Sequence, residues 1–389
     1  MRPSDVITRE SPLMAVMGPH AQSRIPCRSR RRLVRHGFPV MTKSFARGLA
    51  ALSLVAACCG QAFGFGAVGH NTVGEIAAQL IKGHRAEAEV KRILGPVSLR
   101  DIAVWDDCVK GIDTGNDFKY AVTGRFAECA VFENNAEEEA RMRDYVKRNF
   151  EQCGPKPGEE SCNKQYHYAN VAIQRGRYVP GAIGTSDHDL VPALKAAILV
   201  LKTGKQTPPM DFNERDALAL VVHAIGDMHQ PLHMGSLYLD ADGKPYDPDT
   251  QGADAQTHTV GANAITLPKP DGTPGGNLHS YWDGMPGKLS AEQLAAMPAL
   301  AKAVPAATGN PDDWPVEWAS ESLLGARDAF DGMSFGARQQ SLRGPRWLAT
   351  PPAGYDARSL EQTRLNVIKG GARLAQMLES IWPDKADKK

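Results

Sequence analysis

ERDALALVVHAIGDMHQPLH, residues 214–233, decides how the rest of the chain is read. Apolar residues recur here at three- and four-residue spacing, which predicts a helix. On that helix His223 and Asp227 stand four apart and share one face. Pro231 cannot continue the helix, so His233 follows a break. Three of the chain's 11 histidines fall between His223 and His233. A lone His-x-x-x-Asp pair on a helix is more often hydrogen-bonded than metal-binding, so the weight rests on what recurs elsewhere.

The pattern does recur. NLHSYWDG carries a second i, i+4 pair, His279 and Asp283. Asp107 sits in AVWDDCVK, His167 in YHYAN and His70 in GAVGH. Taken alone, His70 could be a helix-start residue, His167 a partly buried histidine, and Asp106 with Asp107 a solvated face. Taken together, imidazoles and carboxylates in short separated motifs are the ligand chemistry of zinc. Lys110 lies three residues after Asp107 on the same helix side. It reads equally as a phosphate-holding cation and as a solvated lysine. His84, His188 and His258 stand outside these motifs and read as ordinary residues.

The chain around them divides in two. The first 64 residues hold ten Lys and Arg against Asp5 and Glu10. From Met41, the sequence MTKSFARGLAALSLVAACCGQAFG reads as a secretory signal: basic start, apolar run from Leu49 to Cys59, small residues near Gly64. The apolar run is too short to span a bilayer. Residues 1–40 then read as a non-structural upstream extension, 41–64 as the signal and 65–389 as the domain. A lipoprotein box ending in Cys58 is the lesser alternative. Otherwise the expected location is periplasmic or secreted, with no stable membrane association, and as a monomer.

Without the leader, 35 of the 45 basic and 42 of the 44 acidic residues remain, a formal charge of −7. Proteins that grip nucleic acid by bulk charge are basic, so any contact with phosphate here needs a local source of positive charge. Four cysteines also remain: Cys108, Cys129, Cys153 and Cys162. An even number in an exported chain points to two disulfides. Three pairings are open, Cys153–Cys162 being the most local. Zinc ligation by cysteine is disfavoured, since no C-x-x-C spacing occurs.

Helical periodicity continues through 70–81, 85–95, 99–110, 136–150, 190–204, 314–330 and 361–382. No series of alternating strands stands out. The longest irregular stretch, 235–276, has room for a short hairpin or a wrapping loop. No internal repeat or linker divides 65–389.

FGAVGH, AVWDDCVK, YHYAN, HAIGDMHQPLH, GAN and NLHSYWD, in this order, resemble the motifs of the zinc-dependent single-strand-specific nucleases of moulds, plants and bacteria. That superfamily also holds the bacterial zinc phospholipases C. The resemblance covers essentially all of 65–389. It implies an all-α single domain with a trinuclear zinc cluster in a cleft. The first zinc would take Asp107, His167, His223 and Asp227. The second would take His233, His279 and Asp283. The third would take His70, Asp227 as a bridge, and the α-amine and carbonyl oxygen of Phe65, provided the leader is cut after Gly64. The family usually has Trp at that first position, but the ligands are backbone atoms. His229 matches a motif position that is not a ligand, which leaves it as an orienting or packing residue.

The implied activity is hydrolysis of single-stranded DNA and RNA and of 3′-nucleotides, leaving 5′-phosphates. A zinc-activated water attacks phosphorus, with Asp107 and Lys110 as catalytic residues. Three zinc ions would supply the missing positive charge. Tyr168 would stack on a splayed base and Asn170 would hydrogen-bond its edge. Asn263 matches the asparagine of the family's Gly-Gly-Asn element, although Ala262 replaces the second glycine. Two rivals are weaker. A zinc phospholipase C on the same scaffold fits less well with Asp283 and the YHYAN and GAN motifs. A non-catalytic zinc-stabilised binding protein has no need of an intact ligand set.

Overall fold

The 214–233 stretch folds as its pattern dictates. In a computed structural model, which describes residues 65–155 and 160–384, Glu214–Met228 is a helix whose side chains are nearly all buried. Asn213 caps it, accepting from Arg215 and Asp216 backbone N–H groups, while the Asp216 carboxylate accepts from the Asn213 N–H. This capping box fixes where the helix starts, and so which residues face inward. A short 3-10 turn, Pro231–His233, follows the break.

Around this central helix pack Leu190–Thr203, Ala67–Leu80 and the long C-terminal helix Tyr355–Ile381. The main core lies between them, built from residues such as Ile76, Leu194, Leu220, Val367 and Leu374. The helix Trp314–Phe330 closes one side. No helix among the described residues is long and apolar enough to cross a membrane.

Two expectations need correction. The chain is predominantly helical, with 14 α-helices among the described residues, but all-α is too strong. A small sheet runs in the order Pro274–Asn277, Ile265–Pro268, Gly344–Thr350, Ser334–Phe335, with Gln339–Ser341 also paired to Gly344–Thr350. The first two strands are the short hairpin for which 235–276 had room. The others were missed because only Trp347 and Ala349 alternate inward on the strand they share, too short a signal to register. A second, smaller core of Ile265, Leu278, Trp282, Phe330 and Trp347 glues this sheet to the helices.

The second correction concerns 99–110. It is not one helix but two short ones, Leu99–Ile102 and Trp105–Val109, parted at Ala103–Val104. The expectation of two disulfides holds: Cys108 is joined to Cys129 and Cys153 to Cys162, the latter being the most local pairing. The expected leader, 1–64, lies outside the described residues.

Candidate metal centre

Five histidines and three aspartates from separate elements meet in the interior. His70 comes from Ala67–Leu80, Asp107 from Trp105–Val109, His223 and Asp227 from Glu214–Met228, His233 from the 3-10 turn, and His279 and Asp283 from Leu278–Asp283. His167 comes from the loop after Cys162–Gln165. All eight are 6% exposed or less. They form three groups whose ligand-type atoms lie within 4.8 Å of one another: Asp107, His167 and His223; His70, His223 and Asp227; His233, His279 and Asp283.

Distances test whether a metal fits. His167 Nδ1 lies 2.9 Å from both Asp227 Oδ2 and His223 Nε2, and His223 Nε2 lies 3.0 Å from Asp227 Oδ2. Asp107 Oδ1 lies 3.8 Å from His167 Nδ1 and 3.7 Å from His223 Nε2. Four ligands about 2.0–2.1 Å from a tetrahedral zinc stand roughly 3.3 Å apart. The observed separations bracket that value. Several of these buried atoms also lack a hydrogen-bond partner in the protein, among them both His70 nitrogens, Asp227 Oδ1, His233 Nε2 and Asp283 Oδ2. Buried polar atoms are rarely left so, and cations shared within the three groups would engage Asp227 Oδ1, His233 Nε2, Asp283 Oδ2 and one His70 nitrogen.

The rings are pre-aimed. His223 Nδ1 donates to the Ala103 carbonyl at 2.7 Å, His233 Nδ1 to the His167 carbonyl at 2.6 Å, and His279 Nδ1 to the Gly261 carbonyl at 2.6 Å. A carbonyl only accepts, so each ring must carry a proton on Nδ1, and this turns Nε2 inward. The helix break at Ala103–Val104 therefore has a use: Ala103 lies outside both short helices, and its carbonyl orients His223. Gln230, which the sequence reading passed over, does the same for a carboxylate. Its Oε1 accepts the Leu232 N–H and its Nε2 donates to Asp283 Oδ1 at 2.8 Å. The signal was a lone amide side chain in a wholly buried run, directly before Pro231.

Asp227 is the hub. Its Oδ2 meets His167 and His223, while Oδ1 lies 3.2 Å from His70 Nε2 and 3.5 Å from His233 Nδ1. The His70 ring stacks on His223, with centroids 3.9 Å apart. Gly226 makes room for it, since a Cβ there would stand 2.7 Å from His70 Nδ1. We expect Gly226→Ala to displace this ring, costing about 1–3 kcal/mol by overpacking. Thermal denaturation and elemental analysis check it: a lower Tm with less bound metal is the expected result. Unchanged values for both would show that the ring has space to spare. Phe65 is buried one turn before His70, and the next N–H, of Gly66, donates to the Asp283 carbonyl at 2.8 Å. The start of the domain is thereby stitched to the far ligand.

His279 depends on a strained turn. Val260, Gly261 and Ala262 all have positive φ, at 56°, 54° and 67°. For Val and Ala the left-handed region costs roughly 1–2 kcal/mol per residue. A Cβ on Gly261 would come within 2.7 Å of the Leu232 carbonyl. The turn is held by Ser236 Oγ, which accepts the Gly261 N–H at 3.2 Å, and it delivers the carbonyl that orients His279. Strain kept in this way is typical of functional sites. Ala262 thus occupies the conformation a glycine would favour.

Electrostatics follow from burial against neighbouring charge. Burial opposes charging His223, but the Asp227 and Asp107 carboxylates outweigh it and lift its pKa to about 9. Burial also lifts Asp283 to about 7 and Asp106 to about 7. His167 and His279 are pushed down to about 3, chiefly by burial. Lys110 is buried too. Its Nζ lies 2.8 Å from Asp107 Oδ1, and burial, which disfavours its charge, is outweighed by the Asp107, Asp227 and Asp283 carboxylates together. The solvated-lysine reading of Lys110 and the solvated-face reading of Asp106 and Asp107 both fall.

The other candidates are placed as follows. Tyr168 is half-buried and donates its hydroxyl to Glu160 at 2.8 Å. Asn170 Oδ1 lies near Gly261, 3.4 Å from where a Cβ would stand, so it borders the His279 side of the cluster. Asn263 follows the strained turn and folds its Nδ2 back onto the Val260 carbonyl at 3.0 Å. His229 does not orient a ligand. Its Nδ1 bonds the Ile225 carbonyl, its Nε2 bonds Arg373, and its ring borders a separate cavity of about 620 Å³ beside Trp318 and Glu321. His84 pairs with Asp384, His188 with Asp187 and Gln165, and His258 stacks on Tyr238, each apart from the cluster.

A family model described as S1/P1 Nuclease matches residues 65–383. Comparison with curated proteins found no match.

Proposed function

The chain belongs to the S1/P1 nuclease family, and from that premise we propose a zinc-dependent, single-strand-specific endonuclease and 3′-nucleotidase that leaves 5′-phosphates. The observation that carries this reading is the convergence of eight buried imidazole and carboxylate side chains around Asp227. Asp107, His167, His223 and Asp227 would hold one zinc. His233, His279 and Asp283 would hold a second. His70, Asp227 and the Phe65 backbone would hold a third. When bound, zinc supplies Lewis-acid stabilisation of phosphate charge and lowers the pKa of water towards neutrality.

The protein's own groups then divide the work. Lys110 pairs with Asp107 Oδ1, which fixes the carboxylate that would both face a zinc and orient a water for attack on phosphorus. Lys110 keeps its positive charge through that ion pair and is available to a phosphate oxygen as charge builds there. The three carbonyl-anchored imidazoles cannot swing, so the phosphodiester meets a pre-set geometry. Tyr168 offers a ring face for one base and Asn170 an amide for its edge, with Asn263 beyond the turn. Only a base free of its duplex reaches a ring face, which accounts for single-strand preference. The domain works outside the cytoplasm as a monomer, residues 41–64 having been removed as a signal and 1–40 being dispensable. Two disulfides suit an oxidising compartment.

The test uses protein beginning at Phe65, assayed on single-stranded DNA, RNA, 3′-nucleotides and phosphatidylcholine, with and without chelator. Chelator-sensitive hydrolysis of the first three alone is expected. Hydrolysis of phosphatidylcholine alone would transfer the site to lipid chemistry, and zinc binding without hydrolysis would reduce it to a structural role.

A further inference from the structure

We propose that the Gln339–Thr350 hairpin is a cationic arm that holds the backbone of a single-stranded polynucleotide beyond the scissile unit. The inference rests on the nuclease reading of the metal centre and extends it to polymers.

Three observations carry it. The first is topology. Gly344–Thr350 pairs in parallel with Ile265–Pro268, with Ile265 opposite Trp347. Parallel strands begin at the same edge of a sheet. The start of Ile265–Pro268 is where the Val260–Asn263 turn delivers its carbonyl to His279. The hairpin tip therefore projects from the edge of the sheet that borders the metal centre. Contact agrees: Arg346 Nη1 comes within 3.5 Å of the Asn263 carbonyl, and the Trp347 N–H donates to the Ala264 carbonyl. Arg343 lies three residues further out, roughly 10 Å at about 3.3 Å per residue.

The second observation is charge. Residues 339–350 hold Arg343 and Arg346 and no Asp or Glu, in a domain whose formal charge is −7. Arg346 and Gln339 are cross-strand partners, and Arg346 Nε donates to Ser341 Oγ, so its guanidinium is fixed along the strand rather than trailing in solvent. The third is the tip. Leu342 is 107% exposed, the most exposed large apolar side chain among the described residues. It packs on nothing within the hairpin, so the fold does not explain it. A cation beside a bare apolar group suits the alternating phosphates and base faces of a single strand. A mononucleotide is too short to span from the metal centre to the hairpin tip.

The experiment measures binding of a labelled, short phosphorothioate oligothymidylate to zinc-loaded protein between about 50 and 200 mM salt. Cleavage of ordinary oligothymidylate and of a thymidine dinucleotide is measured in parallel. For single strands, each phosphate contact contributes roughly −0.7 to the slope of log affinity against log salt. Arg343→Gln is expected to make the slope shallower by about that amount. It should also lower the polymer-to-dinucleotide kcat/KM ratio several-fold, with zinc content unchanged. Arg343→Lys should restore the slope. Equal slopes for wild type and Arg343→Gln would overturn the arm. So would a dinucleotide rate that falls in step with the polymer rate, because the effect would then act through Asn263. Wild-type protein that binds the oligonucleotide with the expected slope but cleaves neither substrate would refute the nuclease reading and leave the arm standing.

Discussion

Asp227→Asn is expected to abolish hydrolysis, by about a thousandfold or more, the equivalent of roughly 4 kcal/mol of lost transition-state stabilisation. Asp227 is fully buried and meets four histidines, His167 and His223 through one oxygen, His70 and His233 through the other. An amide keeps the shape but offers one neutral oxygen and an NH₂ in place of two anionic oxygens, so it cannot serve two metal ions. Bound zinc counted by elemental analysis should fall. The melting temperature should fall with it, because a ligand that binds only the folded state stabilises it by mass action. A variant with full activity and an unchanged metal count would sink the cluster assignment.

The second large effect concerns the first residue of the domain. One alanine added before Phe65 is expected to remove one zinc per chain. It should also lower activity by at least the roughly 10–100-fold that losing an outer-sphere partner costs. The Phe65 ring is buried, and the Gly66 N–H is fixed on the Asp283 carbonyl, so the chain cannot slide to present a new amine in the old place. With the addition, the nitrogen of Phe65 becomes an amide, which does not ligate. A free α-amine, with an ordinary pKa of about 7.7–8.0, must lose its proton to ligate, so zinc affinity should weaken as pH falls below that range. The comparison is zinc content and rate for proteins beginning at Phe65 and at the added alanine. Matching values in both would remove the amine from the ligand set.

Two pairs of the candidate centre were legible in the sequence for a simple reason. A helix repeats every 3.6 residues, so His223 with Asp227 and His279 with Asp283 declare a shared face without any knowledge of the fold. The groups that aim those ligands were not legible. The Ala103, His167 and Gly261 carbonyls are backbone atoms that every residue possesses, and only tertiary structure says which of them meets an imidazole. Gly226 was equally silent, because its use is the space it leaves for a ring from another helix. The sheet was hidden by its shortness. The break at Ala103–Val104 was hidden by a helical pattern that runs unbroken across it. His229 shares the motif but was read as an orienting or packing residue, and its bond to Arg373 favours packing.

The bond between Cys108 and Cys129 has a consequence for the cell that makes the protein. It closes a loop of 21 residues and begins one residue after Asp107. Such a cross-link is worth roughly 3 kcal/mol, in the chain-entropy account by restricting the unfolded chain. Thiol buffers in the cytoplasm keep that cross-link open. If, as proposed, the chain is exported and its leader removed, a copy retained in the cytoplasm would lack both the tether beside Asp107 and a free amine at Phe65. Under the proposed activity, two independent locks, one of redox and one of proteolysis, would then stand between the newly made chain and the producer's own RNA, and both would open on the same side of the membrane.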